Sequence, residues 1–195
     1  MRAALASLVA VVVFTAVLGF GYPALMTGFA ALAFPGKATG SLIEESGHVV
    51  GSALAAQAFT SPRYFHERPS ATSPAYNAAA TSFSNLGPTN PALAKLVAAN
   101  ARAILKLEAP YNPGLTIHAI PVDAVVPSGS GIDPDISPAY AQLQARRIAA
   151  VRQLPLATVQ RLIGENTDGR ALGFFGEPGV NVLRLNLALD KEASR

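Results

Sequence analysis

The groups available for chemistry in this chain are few. Its 195 residues include no cysteine, three histidines, and 12 carboxylates against 15 lysines and arginines. Without thiols, disulfides, thiolate-ligated metals, iron–sulfur clusters and cysteine nucleophiles are excluded together. His48, His66 and His118 lack the spacing that sets two imidazoles on one metal, so no residue is assigned to a metal. The densest polar run is Ser128-Gly129-Ser130-Gly131, followed by Ile132-Asp133-Pro134-Asp135-Ile136-Ser137-Pro138. A Ser/Gly run ahead of a helix start can turn backbone N–H groups toward an anion such as a phosphate. The spacing fits neither the Walker A pattern nor G-x-S-x-G, and the alternative is a turn that leads into an Asp or Ser helix cap. Asp133 and Asp135 can pair as acid and base, but the sequence shows no environment that would perturb them, and capping is the preferred reading. A hydrolytic set would need Ser130 with His118 and Asp123 or Asp133, at spacings that fix no geometry. No catalytic residue is assigned.

Arginine is the other source of chemistry, because its planar fork recognises carboxylates, carbonyl clusters and phosphates. Arg63, Arg68, Arg146, Arg147 and Arg152 are the relevant set. Arg147 and Arg152 are five apart on a predicted helix and share no tight face. Arg68 lies in Tyr64-Phe65-His66-Glu67-Arg68-Pro69-Ser70, where a guanidinium among aromatics and beside a proline braces a loop or stacks in an interface. Tyr64, Phe65, Arg68, Asn85, Arg147 and Arg152 are the candidate interface residues.

The elements that must position these groups begin with an apolar block. Thirty-four uncharged residues separate Arg2 from Lys37, and only 14% of the chain is charged, against about a quarter in a soluble domain. Residues 3–25 as a helix reach roughly 34 Å, enough for a hydrocarbon core of about 30 Å. Residues 1–36 therefore read as a membrane anchor, with Tyr22 at the interface. Pro23 and the glycines at 19, 21 and 28 predict a break, leaving residues 24–34 as a separate piece at the membrane interface or against a partner. A cleaved signal peptide ending at Ala31-Leu32-Ala33 is the competing reading, but the apolar run exceeds the usual 7–15 residues or so. With Arg2 on the cytoplasmic side, the body lies outside. Arg2 and Lys37 remove most of the net charge of +3, so the body offers no electrostatic footprint for nucleic acid.

Beyond Lys37 the pattern is α+β: one N-terminal transmembrane helix followed by a single mixed helix/strand extracytoplasmic domain, residues 37–195. Residues 41–45 and 49–54 around Ser46-Gly47-His48 predict a hairpin. Residues 59–90 predict a long loop, ordered by Tyr64, Phe65, Tyr76 and Phe83. Asn90-Pro91 starts a helix that puts Leu93, Leu96, Val97, Ile104 and Leu107 on one face. Residues 115–126 predict a strand pair or one bent strand, with Pro121 at an edge. Ser137-Pro138 starts a helix to about 153, Pro155 another to about 164, and residues 180–189 alternate like a strand.

Several motifs then form an ordered set: Gly40-Ser41-Leu42-Ile43; Tyr64-Phe65-His66 with Arg68-Pro69-Ser70-Ala71; Ser84-Asn85-Leu86-Gly87-Pro88 with Asn90-Pro91; Pro121-Val122-Asp123; the run from Ser128 to Pro138; and Gly173-Phe174-Phe175-Gly176-Glu177-Pro178 with Val180-Asn181-Val182-Leu183. This set resembles the KdpC subunit family of the bacterial Kdp potassium-transporting P-type ATPase, from the membrane segment almost to the C-terminus. Gln144, Arg147 and Arg152 fall where the family has its Gln and two Arg. Asp135 stands where a His is frequent, and Glu67 where a Gly is frequent. The resemblance implies a single-span, non-catalytic inner-membrane subunit of a complex that imports potassium by ATP hydrolysis. Its implied partners are a potassium-channel-like subunit, a P-type ATPase subunit and a small stabilising subunit.

It further implies that the chain raises the ATP affinity of the pump subunit, with Ser128, Gly129, Ser130, Gly131 and Gln144 as nucleotide-binding residues, ATP as ligand and no tightly held cofactor. The topology derived above puts that loop outside, away from ATP, and Asp133 and Asp135 repel a triphosphate. The two expectations conflict, and topology is preferred. Read without the resemblance, the alternatives are a membrane-anchored extracytoplasmic ligand-binding module or hydrolase.

Overall fold

The computed structural model describes residues 1–193, which fall into two compact units, Met1–Ser52 and Ala53 onward. In the first, helix runs unbroken from Arg2 to Ala33 as α1 (Arg2–Phe14), a π-helical stretch (Thr15–Gly21) and α2 (Tyr22–Ala33), with no residue of the three buried. Among the described residues it is the one helix long and apolar enough to cross a membrane. The expected break at Pro23 is overturned. A proline cannot donate, and its ring crowds the carbonyl four residues back. The wider turn absorbs both problems, since the Tyr22 N–H reaches Val17 O instead of the next carbonyl along. Residues 24–33 accordingly continue the helix.

A short turn, α3 (Pro35–Ala38), precedes the expected hairpin of β1 (Leu42–Glu45) and β2 (His48–Ser52). Ser46 and Gly47 both have positive φ, 51° and 78°, the pair of left-handed residues that a tight hairpin turn requires. The register slips between Ile43 and Glu44, a bulge that leaves β2 one residue longer.

In the second unit, residues 53–90 contain no helix or strand. Then come α4 (Pro91–Glu108), a 3-10 turn (Ile117–Ala119), α5 (Val122–Val125), β3 (Asp135–Ile136), α6 (Pro138–Arg152), α7 (Leu156–Glu165), β4 (Thr167–Asp168), β5 (Gly179–Asn181) and α8 (Val182–Ala193). The strands form a small antiparallel sheet in the order β3-β5-β4. The core is Tyr140, Ala141, Ala145 and Ile148 of α6 against Val159, Leu162 and Ile163 of α7 and Val182, Leu185 and Leu189 of α8.

Helix starts are as the caps predict. Asn90 Oδ1 accepts from Ala92 N at 2.9 Å, and Ser137 Oγ accepts from Tyr140 N at 3.0 Å, each with proline at the next position. Gln153, left-handed at φ 57°, ends α6.

Two expected strands are absent. Residues 115–126 form the 3-10 turn and α5, because Pro121 sits where a helix needs no donor and the carboxylate of Asp123 enters the first turn. Residues 180–189 supply only the end of β5 before α8 begins. Val182, Leu185, Asn186 and Leu189 are all buried at helical spacing, and Asn181 Oδ1 accepts from Arg184 N at 3.2 Å, capping the start.

Candidate functional site

The irregular segment from Pro62 to Arg68 is held by side chains. Asn186 of α8 accepts from Phe65 N at 2.8 Å and donates to Phe65 O at 3.0 Å. Gln144 of α6 does the same for His66, accepting from its N at 2.8 Å and donating to its O at 3.1 Å. Each amide thereby satisfies both backbone groups of one residue, as a neighbouring strand would. Arg147 donates Nη1 to the carbonyls of Pro62 and Tyr64, and Arg152 donates Nε to Arg63 O at 2.7 Å. Both arginines therefore reach one segment although they share no tight helix face; the length of the side chain bridges the difference.

Arg147 is the hub. Its Nε lies 2.7 Å from Glu108 Oε1, with both side chains at 0% exposure, and its Nη2 donates to Gln144 Oε1 at 2.8 Å. Burial pushes the Glu108 carboxyl up, against the pull of the guanidinium beside it. Glu108 was not among the sequence candidates. Its signal was a carboxylate continuing the apolar face of α4, four residues after Ile104 and seven after Ala101. Arg152 forms a second bracket: Nη2 to Asp190 Oδ1 at 2.8 Å, its guanidinium 4.8 Å from the centre of the Tyr64 ring, and Tyr64 Oη donating to Asp190 Oδ2 at 3.0 Å.

The expectation that Phe65 and Arg147 face a partner is thus corrected, since both are at 0% exposure. Tyr64 and Arg152 are engaged inside the chain. Arg68 braces its loop, donating to Asp133 Oδ2 at 2.8 Å, and Asn85 is exposed, with φ 52°.

The Ser/Gly loop ties down the long irregular segment. Gly131 N donates to Ser128 Oγ at 2.9 Å, and Gly131 O accepts from Ser70 Oγ at 2.7 Å. Ser82 N donates to Ser130 O at 3.2 Å, Ala56 N to Ile132 O at 2.9 Å and Ser128 N to Pro69 O at 3.3 Å. Ser128 is buried and Gly129 exposed, while Gln144, fully buried, has its amide engaged with His66 and Arg147. Arg68, whose guanidinium reaches Asp133 just past the loop, is already paired. These five residues form a strut and a clamp, with carboxylates beside them.

The elements of a hydrolytic set are committed elsewhere. Asp123 accepts from Ser137 N at 2.7 Å and from Ser137 Oγ at 2.9 Å, and Asp133 accepts from Arg68 and from Asp135 N. His118 is exposed on the 3-10 turn. Among the described residues no cluster of three or more histidines or carboxylates is arranged to hold a metal.

Comparison with known proteins is consistent along the chain. A family model described as "KdpC: K+-transporting ATPase, c chain" matches residues 4–191. A protein of Sorangium cellulosum is 53% identical over 185 residues, 94% of this chain and 95% of its own length. One of Methylococcus capsulatus is 51% identical over 185 residues, 94% and 95%. One of Beijerinckia indica is 50% identical over 182 residues, 93% and 90%. Each of the three is named as a potassium-transporting ATPase KdpC subunit.

Proposed function

The chain belongs to the KdpC family of potassium-transporting ATPase subunits, and from that premise we propose that it works as a membrane-anchored scaffold within an ATP-driven potassium-import complex. It is an accessory subunit, not the catalytic one. In this reading the helix from Arg2 to Ala33 spans the inner membrane with its N-terminus in the cytoplasm. The body lies outside, on the mouth of a potassium-selective, channel-like subunit, within a complex that also holds a P-type ATPase subunit and a small stabilising subunit. No nucleotide is held tightly.

The observation that carries this reading is the direction in which the polar groups point. Gln144, Arg147, Arg152 and Asn186 are engaged with the chain's own backbone, which builds a stiff body and spends these polar groups on bracing. The body also presents an apolar cluster. Leu172, Phe174 and Phe175, at the tip of the loop between β4 and β5, are 84%, 64% and 57% exposed, the kind of surface that a partner covers.

Protease added to spheroplasts is expected to digest the body while the anchor stays in the membrane fraction. Protection of the body, or a mature N-terminus near Phe34, refutes the arrangement. Extraction in mild detergent should bring the companion subunits along with the full-length chain.

The anchor makes its own prediction. A Cβ on Gly19 meets only Thr15 Cγ2, at 3.8 Å, and one on Gly28 meets nothing within 4 Å. Small residues at Ala16, Gly19 and Gly21 allow another helix to approach closely in lipid, where packing drives association. Gly19→Leu or Ala16→Leu is expected to leave insertion intact and to weaken retention in the extracted complex by on the order of 1 kcal/mol. Retention equal to wild type, measured by quantitative co-purification, would assign the contact to another face.

A further inference from the structure

Glu67 is a buried carboxyl that the bracing network leaves unused. It is 4% exposed, and no side chain donates to either of its oxygens; the Gln57 backbone alone lies close enough to favour its charged form. The other buried side-chain atoms without partners belong to groups already paired, Glu108 with Arg147 and Arg68 with Asp133. Glu67 lines a pocket of about 170 Å³ together with Phe59, His66, Tyr76, Asn100 and Ile104.

Several donors of the polar lining are spent on the chain's own carbonyls, which leaves it richer in acceptors. Tyr76 Oη donates its hydrogen to Arg68 O at 3.1 Å, Asn100 Nδ2 donates to Val125 O at 2.8 Å, and His66 Nε2 pairs with Ser61 O at 3.0 Å. Those bonds leave a carboxyl, a phenolic oxygen, an imidazole acceptor and the Asn100 amide as the polar groups of the lining, together with the Tyr140 hydroxyl. Asp133 and Asp135 add negative potential at Glu67, while Arg68 and Arg147 are each balanced by a carboxylate. The rest of the wall is aromatic and aliphatic, and aromatic faces attract cations. A hard cation such as Ca²⁺ would need a shell of about six to eight oxygens. The volume is that of a cavity which holds a molecule the size of benzene, about 150 Å³. An acceptor-rich, half-apolar pocket of this size matches a cationic head rich in donors on a short apolar stem.

We propose that this pocket binds an alkylammonium or alkylguanidinium group, with the Glu67 carboxylate as its counter-ion. Two sources share that chemistry: a Lys or Arg side chain of a companion subunit, and a free small amine or guanidine. Burial pushes the Glu67 carboxyl up to about 9, opposed only by the Gln57 backbone. A bound cation needs the ionised form, so binding releases a proton. Affinity therefore rises with pH, by up to about tenfold per unit between pH 7 and 9, a range in which an amine with an ordinary value near 10.4 keeps its charge.

The test is calorimetric titration of the full-length chain in detergent with n-butylammonium and with n-propylguanidinium, at pH 7 and 8.5, in two buffers of different ionisation heat. Saturable binding is expected, at least about tenfold tighter at pH 8.5, with release of close to one proton. Glu67→Gln should weaken it at least tenfold and abolish the pH dependence. Absence of saturable binding, a flat pH profile in the wild-type chain, or equal heats from potassium chloride would overturn the proposal, and the wild-type profile decides even if the variant does not fold. Repeating the titration on the assembled complex separates the sources. Exclusion of the probe assigns the pocket to a companion's basic side chain, and undiminished binding assigns it to a free amine or guanidine. The pocket's chemistry does not rest on the scaffold reading, so failure of either leaves the other standing.

Discussion

Arg147→Ala is expected to destabilise the body of the chain by about 3–5 kcal/mol, the range for breaking a buried ion pair from one side. The guanidinium is completely buried and makes four connections: to the Glu108 carboxylate, to the carbonyls of Pro62 and Tyr64, and to Gln144 Oε1. Removing it strands a carboxylate in an apolar interior and leaves two carbonyls without donors. Glu108, whose carboxyl burial already pushes up, then loses the guanidinium that favours its charged form and takes a proton more readily, which recovers part of the electrostatic cost but none of the carbonyl pairing. Arg147→Lys keeps the charge without the fork and should fall between wild type and Ala.

The double variant Arg147→Met with Glu108→Leu separates the two contributions. If the ion pair alone matters, it approaches wild-type stability, as hydrophobic replacement of buried pairs often does. If holding the segment from Pro62 to His66 matters, it stays well below. Denaturant unfolding of the full-length chain in detergent reads the three variants against wild type, and the second result is expected. A loss under 1 kcal/mol for Arg147→Ala would mean that the apolar core, with Phe65 fully buried in it, holds the segment unaided.

The same residues mark where sequence was legible. Caps are local chemistry, so Asn90-Pro91 and Ser137-Pro138 located α4 and α6 without tertiary information, and the positive-φ pair Ser46 and Gly47 was readable as a hairpin turn. Residues 180–189 were not, because apolar residues at 180, 182, 183, 185, 187 and 189 satisfy a period of two as well as one of 3.6 over so short a run. Helix wins through Asn181 as cap and the burial of Val182, Leu185 and Leu189, which only the fold reveals.

The arginines were visible as forks but not their targets, since Pro62 and Tyr64 are carbonyls from more than 80 residues away along the chain. Side-chain amides substituting for a strand have no periodic signature. Glu67 read as an incidental departure from a family pattern, and its burial beside a pocket depends on contacts from α4 and α6 that no local rule supplies.

Gly131→Ala is the second large effect expected, about 2–5 kcal/mol, and it distinguishes a strut from a nucleotide cradle. Gly131 has φ +74°, and a Cβ there would lie 2.6 Å from Thr72 Cγ2 and 2.7 Å from Ser82 O. A left-handed non-glycine residue costs about 1–3 kcal/mol, and forcing a methyl into a filled site costs a similar amount again. Since Ser82 O is backbone, relief requires moving the segment that Ser70 Oγ and Ser82 N pin to this loop. Gly129 has nothing within 4 Å of an added Cβ, so Gly129→Ala should change stability by less than about 0.5 kcal/mol. A strut therefore predicts a steep contrast between two glycines two positions apart, read as denaturation midpoints, with no saturable heat when MgATP is titrated into the full-length wild-type chain. A cradle for phosphate predicts the reverse order. Gly129, exposed at the loop's outer side, would then be the sensitive position for nucleotide, and micromolar MgATP binding would vanish in Gln144→Ala. Gln144 already gives its amide to both backbone groups of His66 and accepts from Arg147, so engaging a nucleotide would mean releasing the segment it holds. Nothing in the charge beside the loop compensates for that release, because Asp133 and Asp135 flank it and Arg68 is already paired with Asp133.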